Sequence, residues 1–265
     1  MPTNPRGPSP ANTLRTWILG REIHRIMQAA NHTNTTLAAT LGWDRSKLSR
    51  LTGGQRRVPL PDLVHLLVTC GHTSKADRDQ LLALATHHRV PHHWQNHLNT
   101  DLYATTQTDL EHDSIAITYY APTALPDILH TPEHHHAHLT ASPLVPTQTI
   151  LTRPNPPKIT IILGTPALHA LAANPDRLRH LAATGRRPHI SLRLTTDLST
   201  GPFTLLHTHV CGKVLHLPLH TSSLYTEHPA TLRAYDAITT HLLHNTTGPT
   251  PILNRLIAVH ERIPA

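Results

Sequence analysis

The chain has 265 residues, of which 38% are hydrophobic and only 3% aromatic, with a single Phe, so a core of Leu, Ile, Val and Ala is expected. It carries 23 Lys and Arg, 16 Asp and Glu and 26 His, a formal net charge of +7 at neutral pH. Two cysteines build no disulfide framework, no apolar run approaches the roughly 18 residues of a membrane span, and Met1 to Pro10 lacks a signal peptide's apolar stretch. Collagenous, disulfide-rich secreted and membrane-spanning classes are thereby excluded, and a cytoplasmic protein of one large or two modest domains is expected.

From Leu14 to about His97 the pattern predicts helices. Leu19, Ile23, Ile26 and Ala30 mark one face of a first helix ending near Asn31-His32. Thr33 or Asn34 caps a short second helix that runs to Gly42, and Asp44 caps a third that runs to about Leu51 before Gly53-Gly54. Pro61 opens a fourth through Leu63, Leu66, Leu67 and Cys70, and Ser74 caps a fifth through Leu81, Leu82, Leu84 and Ala85. Beyond His97 the pattern becomes α+β. Strands are predicted at 115–120, 158–163, 189–194, 203–208 and 213–217, with helices near 132–140, 166–183, 229–245 and 250–262. The expected fold is therefore α+β overall: a five-helix all-α domain over 14–90, a His-rich boundary at 87–97, and an α+β domain over 98–265.

Charge divides along the same line. Residues 1–97 hold 12 Lys and Arg against 5 Asp and Glu, a net of +7, whereas residues 98–265 hold 11 of each. Within the first third, 45–57 carries Arg45, Lys47, Arg50, Arg56 and Arg57, and no acid. Such clustering is the footprint of a phosphate-binding surface, although a solvated charged face gives the same count.

A helix-turn-helix supplies the motif that charge alone lacks. It needs a small residue where its two helices touch, a Gly in the left-handed turn, and apolar anchors that leave the second helix's polar face free for a DNA groove. Counting from Asn34, the fifth position is Ala38 and the ninth is Gly42, with anchors at Leu37, Leu41, Trp43, Leu48 and Leu51. The second helix then offers Arg45, Ser46, Lys47, Ser49 and Arg50 to bases or phosphates. Arg56 and Arg57, in the loop beyond, suit phosphate. Asn34 and Thr35, at the start of the first helix of the pair, complete the expected DNA-contacting set.

The segment LGREIHRIMQAANHTNTTLAATLGWDRSKLSRLTGGQRRVP resembles the N-terminal domain of the Xre/Cro-type regulators common in actinobacteria, above all in its W-x-R-S-K-x-S-R core. The remainder, with LTRPNPPKITIIL and GPFTLLHT, resembles the poorly characterised C-terminal domain of antitoxin-like regulators of that group. The resemblance implies a DNA-binding transcriptional regulator, often encoded beside a small partner protein, whose C-terminal domain serves dimerisation or sensing. Two departures stand out. Thr52 occupies a position where the family usually has an acid, and the first helix of the pair has Asn34, Thr35 and Thr36 in place of the usual Gln and Glu.

Histidines raise a metal reading. His134 and His138 stand at i, i+4 on a predicted helix, and His207 and His209 share a face of a predicted strand, but the H-E-x-x-H pattern is absent and neither Cys has a Cys partner at ligand spacing. No metal, cofactor or catalytic set is expected. Cys70 reads as a small buried hydrophobe, and Cys211, in a predicted hairpin, as that or a redox sensor. The leading expectation is a dimeric, sequence-specific regulator of double-stranded DNA, modulated by a small protein or small molecule. Two competing readings are a metal- or small-molecule-dependent enzyme that kept an ancestral DNA-binding module, and an antitoxin that mainly sequesters a partner protein.

Overall fold

The computed structural model describes residues 13–72, 74–86, 93–97, 105–129, 149–169, 171, 174–219 and 222–248. Five short helices come first, and the second, third and fifth start on caps that the sequence offers, Thr33, Asp44 and Ser74. α1 (Leu14–Ala29) begins where the Thr13 hydroxyl accepts the Thr16 amide at 3.2 Å. α2 (Asn34–Leu41) opens on a reciprocal capping box between Thr33 and Thr36 and stops at Gly42, whose φ of 67° is left-handed. α3 (Arg45–Thr52) is capped by Asp44, which accepts the Ser46 amide at 2.6 Å. α4 (Leu60–Thr69) has Pro61 in its first turn, where a missing amide has no helical partner to lose, and α5 (Lys75–Thr86) follows the Gly71 turn. Ile23, Leu37, Leu48, Leu51, Leu63, Leu66, Leu67 and Leu81 are fully buried between the helices. Each stabilises the bundle by about 1.5–3 kcal/mol relative to an exposed side chain.

The second region is built on one sheet. In chain order it comprises β1 (His93–His97), α6 (Thr106–Asp113), β2 (Ser114–Ala121), a 3-10 turn (Asp127–Leu129), α7 (Thr149–Thr152), β3 (Lys158–Gly164), α8 (Thr165–His169), α9 (Pro175–Gly185), β4 (Ile190–Thr195), β5 (Phe203–Thr208), β6 (Gly212–Pro218), β7 (Ser222–Thr226) and α10 (Pro229–His244). The strands form a seven-stranded mixed sheet in the order β1-β7-β6-β5-β2-β3-β4. β2, β3 and β4 run parallel, while β5, β6, β7 and β1 form an antiparallel run joined to β2 through β5.

Alternation along the strands gives the sheet two buried faces. Ile117, Tyr119, Ile159, Ile161, Leu192 and Val214 join a core that continues into the helical bundle. Tyr120, Ile162, Phe203 and Leu215 point the other way and pack under Leu242 of α10. Polar contacts also cross between the bundle and the sheet region. Arg21 reaches Asp109 of α6 at 3.1 Å, Arg25 pairs with the other oxygen of the same carboxylate, and the Leu14 amide donates to Glu227 at 2.9 Å.

The five helices predicted over 14–90 and the five predicted strands are all present, but the structure corrects the reading between them. The expected helix over 166–183 is two helices, α8 and α9. Pro175 restricts Asn174 to extended backbone, and Asn174 then caps α9 by accepting the Arg177 amide at 3.1 Å. Residues 93–97, read as boundary, form the edge strand β1 against β7. β1 and its neighbour β7, which the sequence did not predict either, are short and polar in sequence, HWQNH and SSLYT, which hides them from an apolar-alternation test. The helices expected near 132–140 and 250–262 lie outside the described residues.

Candidate nucleic-acid interface

The α2–α3 pair is held from below by the anchors read from the sequence. Leu37, Ala38, Leu41, Leu48 and Leu51 are buried, and Trp43 is half-buried against the same core. Ala38 is small where the helices meet, and Gly42 makes the turn that an L side chain would strain. A further contact sets the tilt of the pair. A Cβ on Gly20 of α1 would sit 2.5 Å from the Leu51 carbonyl and 2.7 Å from the Gly54 amide, so α1 lies directly on the end of α3. Gly54, with φ of 66°, meets the Trp17 backbone just as closely. In the sequence Gly53-Gly54 reads only as a helix stop and Gly20 gives no sign, because close backbone approach leaves no local signature.

On α3 the outward face consists of Arg45, Ser46, Ser49 and Arg50, all exposed. Arg50 folds along the helix, donating from Nε to the Ser46 carbonyl at 3.2 Å and from Nη2 to the Ser46 hydroxyl at 3.3 Å. Lys47 is placed differently. Its Nζ lies 3.9 Å from the Trp43 ring centroid and 2.7 Å from the Asp62 carboxylate of α4, and its side chain is 24% exposed. Lys47 therefore ties α3 to α4. The Trp43–Lys47 spacing of four residues hinted at this contact, but Asp62 comes from another helix and gave no local sign.

The remaining predicted contacts surround this face. Arg56 and Arg57 are exposed in the loop after α3. Thr35 is exposed at the start of α2, and the half-buried Asn34 beside it keeps its Oδ1 without a protein partner. Asp44 occupies the N-terminus of α3, where hydrogen bonds from the Ser46 side chain and amide hold its carboxyl below the ordinary range. That fixed negative charge disfavours a phosphate at this helix end and leaves the outward side chains as the contacting groups. Thr52, where the resembled family has an acid, is buried and donates its hydroxyl to the Leu48 carbonyl at 3.1 Å.

The other candidates are not brought into this site. His207 and His209 are exposed at the far end of β5, and among the described residues no three His, Cys, Asp or Glu side chains are grouped to hold a metal ion. His134 and His138 lie outside the described residues. Cys70 is partly buried against the core. Cys211 is buried, and burial raises its thiol far above the ordinary value, which suppresses the thiolate that redox chemistry needs.

Residues 18–81 match the model of a helix-turn-helix domain, and residues 104–256 match that of a domain of unknown function, DUF5753. No curated protein matches the chain. Among solved structures the chain is similar to TrmBL2, an archaeal chromatin protein described as showing a novel mode of DNA binding. The identity is 11% and the TM-score 0.37, over 69% of this chain and 64% of that one, too distant a likeness to carry an argument. The chain thus spans less than two thirds of that protein's length. No helix among the described residues is long and apolar enough to cross a membrane.

Proposed function

We propose, for a chain that belongs to the DUF5753 family and carries a helix-turn-helix domain ahead of that region, that it is a sequence-specific DNA-binding transcriptional regulator. One observation carries this reading. The anchors of α2 and α3 are buried to the last Leu while Arg45, Ser46, Ser49 and Arg50 stay exposed together on one face. α3 enters the major groove on that face, and Arg45 reads a base edge. Arg56 and Arg57 beyond α3, with Asn34 and Thr35 at the start of α2, contact phosphates and fix the register. Lys47 belongs to the support of the helix.

The finer parts of the reading are an Xre-type, antitoxin-like regulator that works as a homodimer. Residues 14–90 bind DNA, and residues 98–265 supply dimerisation and respond to a small protein or small molecule. The protein acts as a cytoplasmic regulator and not as an enzyme. A single α3 reads only a few base pairs, and two-fold doubling supplies the missing specificity without new residues. Selection of bound sequences from a randomised duplex library by the full-length protein tests the core of this proposal, followed by affinity against salt. Four phosphates neutralised would give a slope of log K against log salt of roughly −3 to −4. Absence of duplex binding at low salt, or a salt-independent affinity, would overturn it.

A further inference from the structure

At the carboxy-terminal end of β2 the sheet carries a cavity of about 260 Å³. Strand register explains its floor. Tyr119 pairs with Thr204 and Thr204 with His216, so side chains of β2, β5 and β6 stand in one row, on the face where Tyr119 meets Glu111 of α6. Gln107 and Glu111 of α6 close the cavity over this row, and Leu125 in the loop after β2 gives it an apolar wall.

The polar side of this cavity is incomplete. Gln107 Nε2 donates to Glu111 Oε1 at 2.7 Å, and the Tyr119 hydroxyl donates to the same oxygen at 2.9 Å. Glu111 Oε2, Gln107 Oε1 and His216 Nδ1 remain buried without a protein partner. Glu111 is 3% exposed and His216 8%. Burial raises the Glu111 carboxyl to about 7, and the nearby Asp127 adds to the rise against the two hydrogen bonds. His216 stacks on Tyr225 with ring centroids 4.7 Å apart, and burial pushes its imidazole down to about 4, so it lines the same cavity as Glu111 in its neutral form. No Lys or Arg among the described residues lines the cavity.

With His216 Nε2–H donating to the Ser223 hydroxyl at 3.1 Å, its Nδ1 is left as an acceptor, and three such buried atoms around an ionised, uncompensated carboxyl call for a donor-rich cation. A water molecule offers two donors and no charge, whereas a primary ammonium offers three donors and a charge. An apolar cavity of about 150 Å³ holds benzene, so this one has room for a ring bearing a short amino chain. We propose that the cavity binds a small organic cation, a primary amine or guanidine on a compact apolar body, with Glu111, Gln107 and His216 receiving its N–H groups. The proposal deepens the effector reading and rests on it only for consequences at DNA. The link is α6, which carries both Glu111 and the Asp109 that grips α1.

Isothermal titration of the full-length protein with benzylamine, 2-phenylethylamine and cyclohexylmethylamine at pH 8 tests the site, with the corresponding alcohols as neutral counterparts. At least one amine should bind one-to-one and at least tenfold tighter than its alcohol, and Glu111→Gln should weaken it at least tenfold. Because Glu111 gives up its proton to form the pair, lowering the pH from 8 to 6 should weaken binding about tenfold. Close to one proton should then be released per ligand, read from heats in buffers of different ionisation enthalpy, a readout that needs no variant. No saturable binding by any of the amines, equal binding of amine and alcohol, or binding at pH 6 without proton release would overturn the proposal. Operator affinity with and without the amine separates the two readings: amine binding that leaves operator affinity unchanged keeps the site and removes it as the effector site.

Discussion

Lys47 and Arg45 lie two residues apart on α3 and carry the same charge, yet Lys47 is held by Trp43 and Asp62 while Arg45 stands exposed. Lys47 sits over the Trp43 ring and against Asp62, with each carboxylate and ammonium about three-quarters buried. A cation–π contact of this kind contributes about 0.5–1 kcal/mol or more, and a partly shielded ion pair about 0.2–1 kcal/mol. Lys47→Ala should therefore destabilise the fold by about 1–2 kcal/mol, which for a chain of this size lowers the thermal midpoint by roughly 2–8 °C. Arg45→Ala breaks no contact of the fold and should leave the midpoint unchanged within the usual ±0.5 kcal/mol of a surface change. It should instead weaken operator binding by about 1–3 kcal/mol and relax preference at one base position.

Thermal and urea unfolding followed by circular dichroism gives one axis of this comparison. Affinity for the selected operator at a temperature where all variants are folded gives the other. Asp62→Asn leaves the Trp43 contact in place and should lose only the ion-pair share, about 0.2–1 kcal/mol, and the double variant should lose less than the sum, because the two residues share one contact. A Lys47→Ala protein with an unchanged midpoint but a relaxed base preference would refute the assignment and return Lys47 to the groove.

Gly20→Ala places a methyl group 2.5 Å from the Leu51 carbonyl, so the urea midpoint should fall by the equivalent of about 1–3 kcal/mol; an unchanged midpoint would mean that α1 does not lie on the end of α3. Glu111, with its folded pKa raised to about 7, binds a proton that the unfolded chain has released, so it contributes most below about pH 4.5 and that contribution is lost as pH rises to 7. The stability of Glu111→Gln relative to the native protein should thus improve on the order of 3 kcal/mol between pH 4.5 and 7.5 in urea unfolding, and a pH-independent difference would show that Glu111 is not held protonated. His216, depressed to about 4, works in the opposite sense, its contribution being complete above about pH 6.5 and lost as pH falls to 4, so the native protein should show little net slope from this pair. Sedimentation of the full-length protein at micromolar concentration should give a dimer at neutral pH, and a monomer that protects a single unrepeated half-site would remove the two-fold reading.

What the sequence disclosed follows from how local each signal is. Thr33, Asp44, Gly42 and Gly71 act within a turn of their own helices, so the helix limits of the bundle were legible. KITIIL and FTLLHT are apolar enough to be strands in any context. α6 was not legible because TQTDLEHD has only Leu110 to bury, and its other inward groups are the polar Thr106 and Glu111. The cavity it closes was equally hidden, since Thr204 and His216 come together only through strand register and Glu111 reaches them from a helix. At the DNA-facing site the residue types were readable but not their orientation: Lys47 looked like Arg45 until Asp62 arrived from α4.

The same distinction changes the meaning of the charge. The net of +7 over residues 1–97 counts every cation alike, but Arg21 and Arg25 are engaged with Asp109 and Lys47 with Asp62. The exposed cations at the face reduce to Arg45, Arg50, Arg56 and Arg57. The arginines withdrawn from DNA instead fasten α1 to α6, and α1 in turn lies against the end of α3 through Gly20. A contiguous set of contacts therefore runs from Glu111 through α6 and α1 to the end of α3. Contiguity alone confers no switch. A ligand at Glu111 alters DNA affinity only by as much as its own affinity differs between the free and the DNA-bound arrangement, and DNA must then alter ligand affinity by the same factor. That reciprocity makes Asp109 the informative position, because its carboxylate joins the two regions while lying outside the cavity and outside the groove-facing surface.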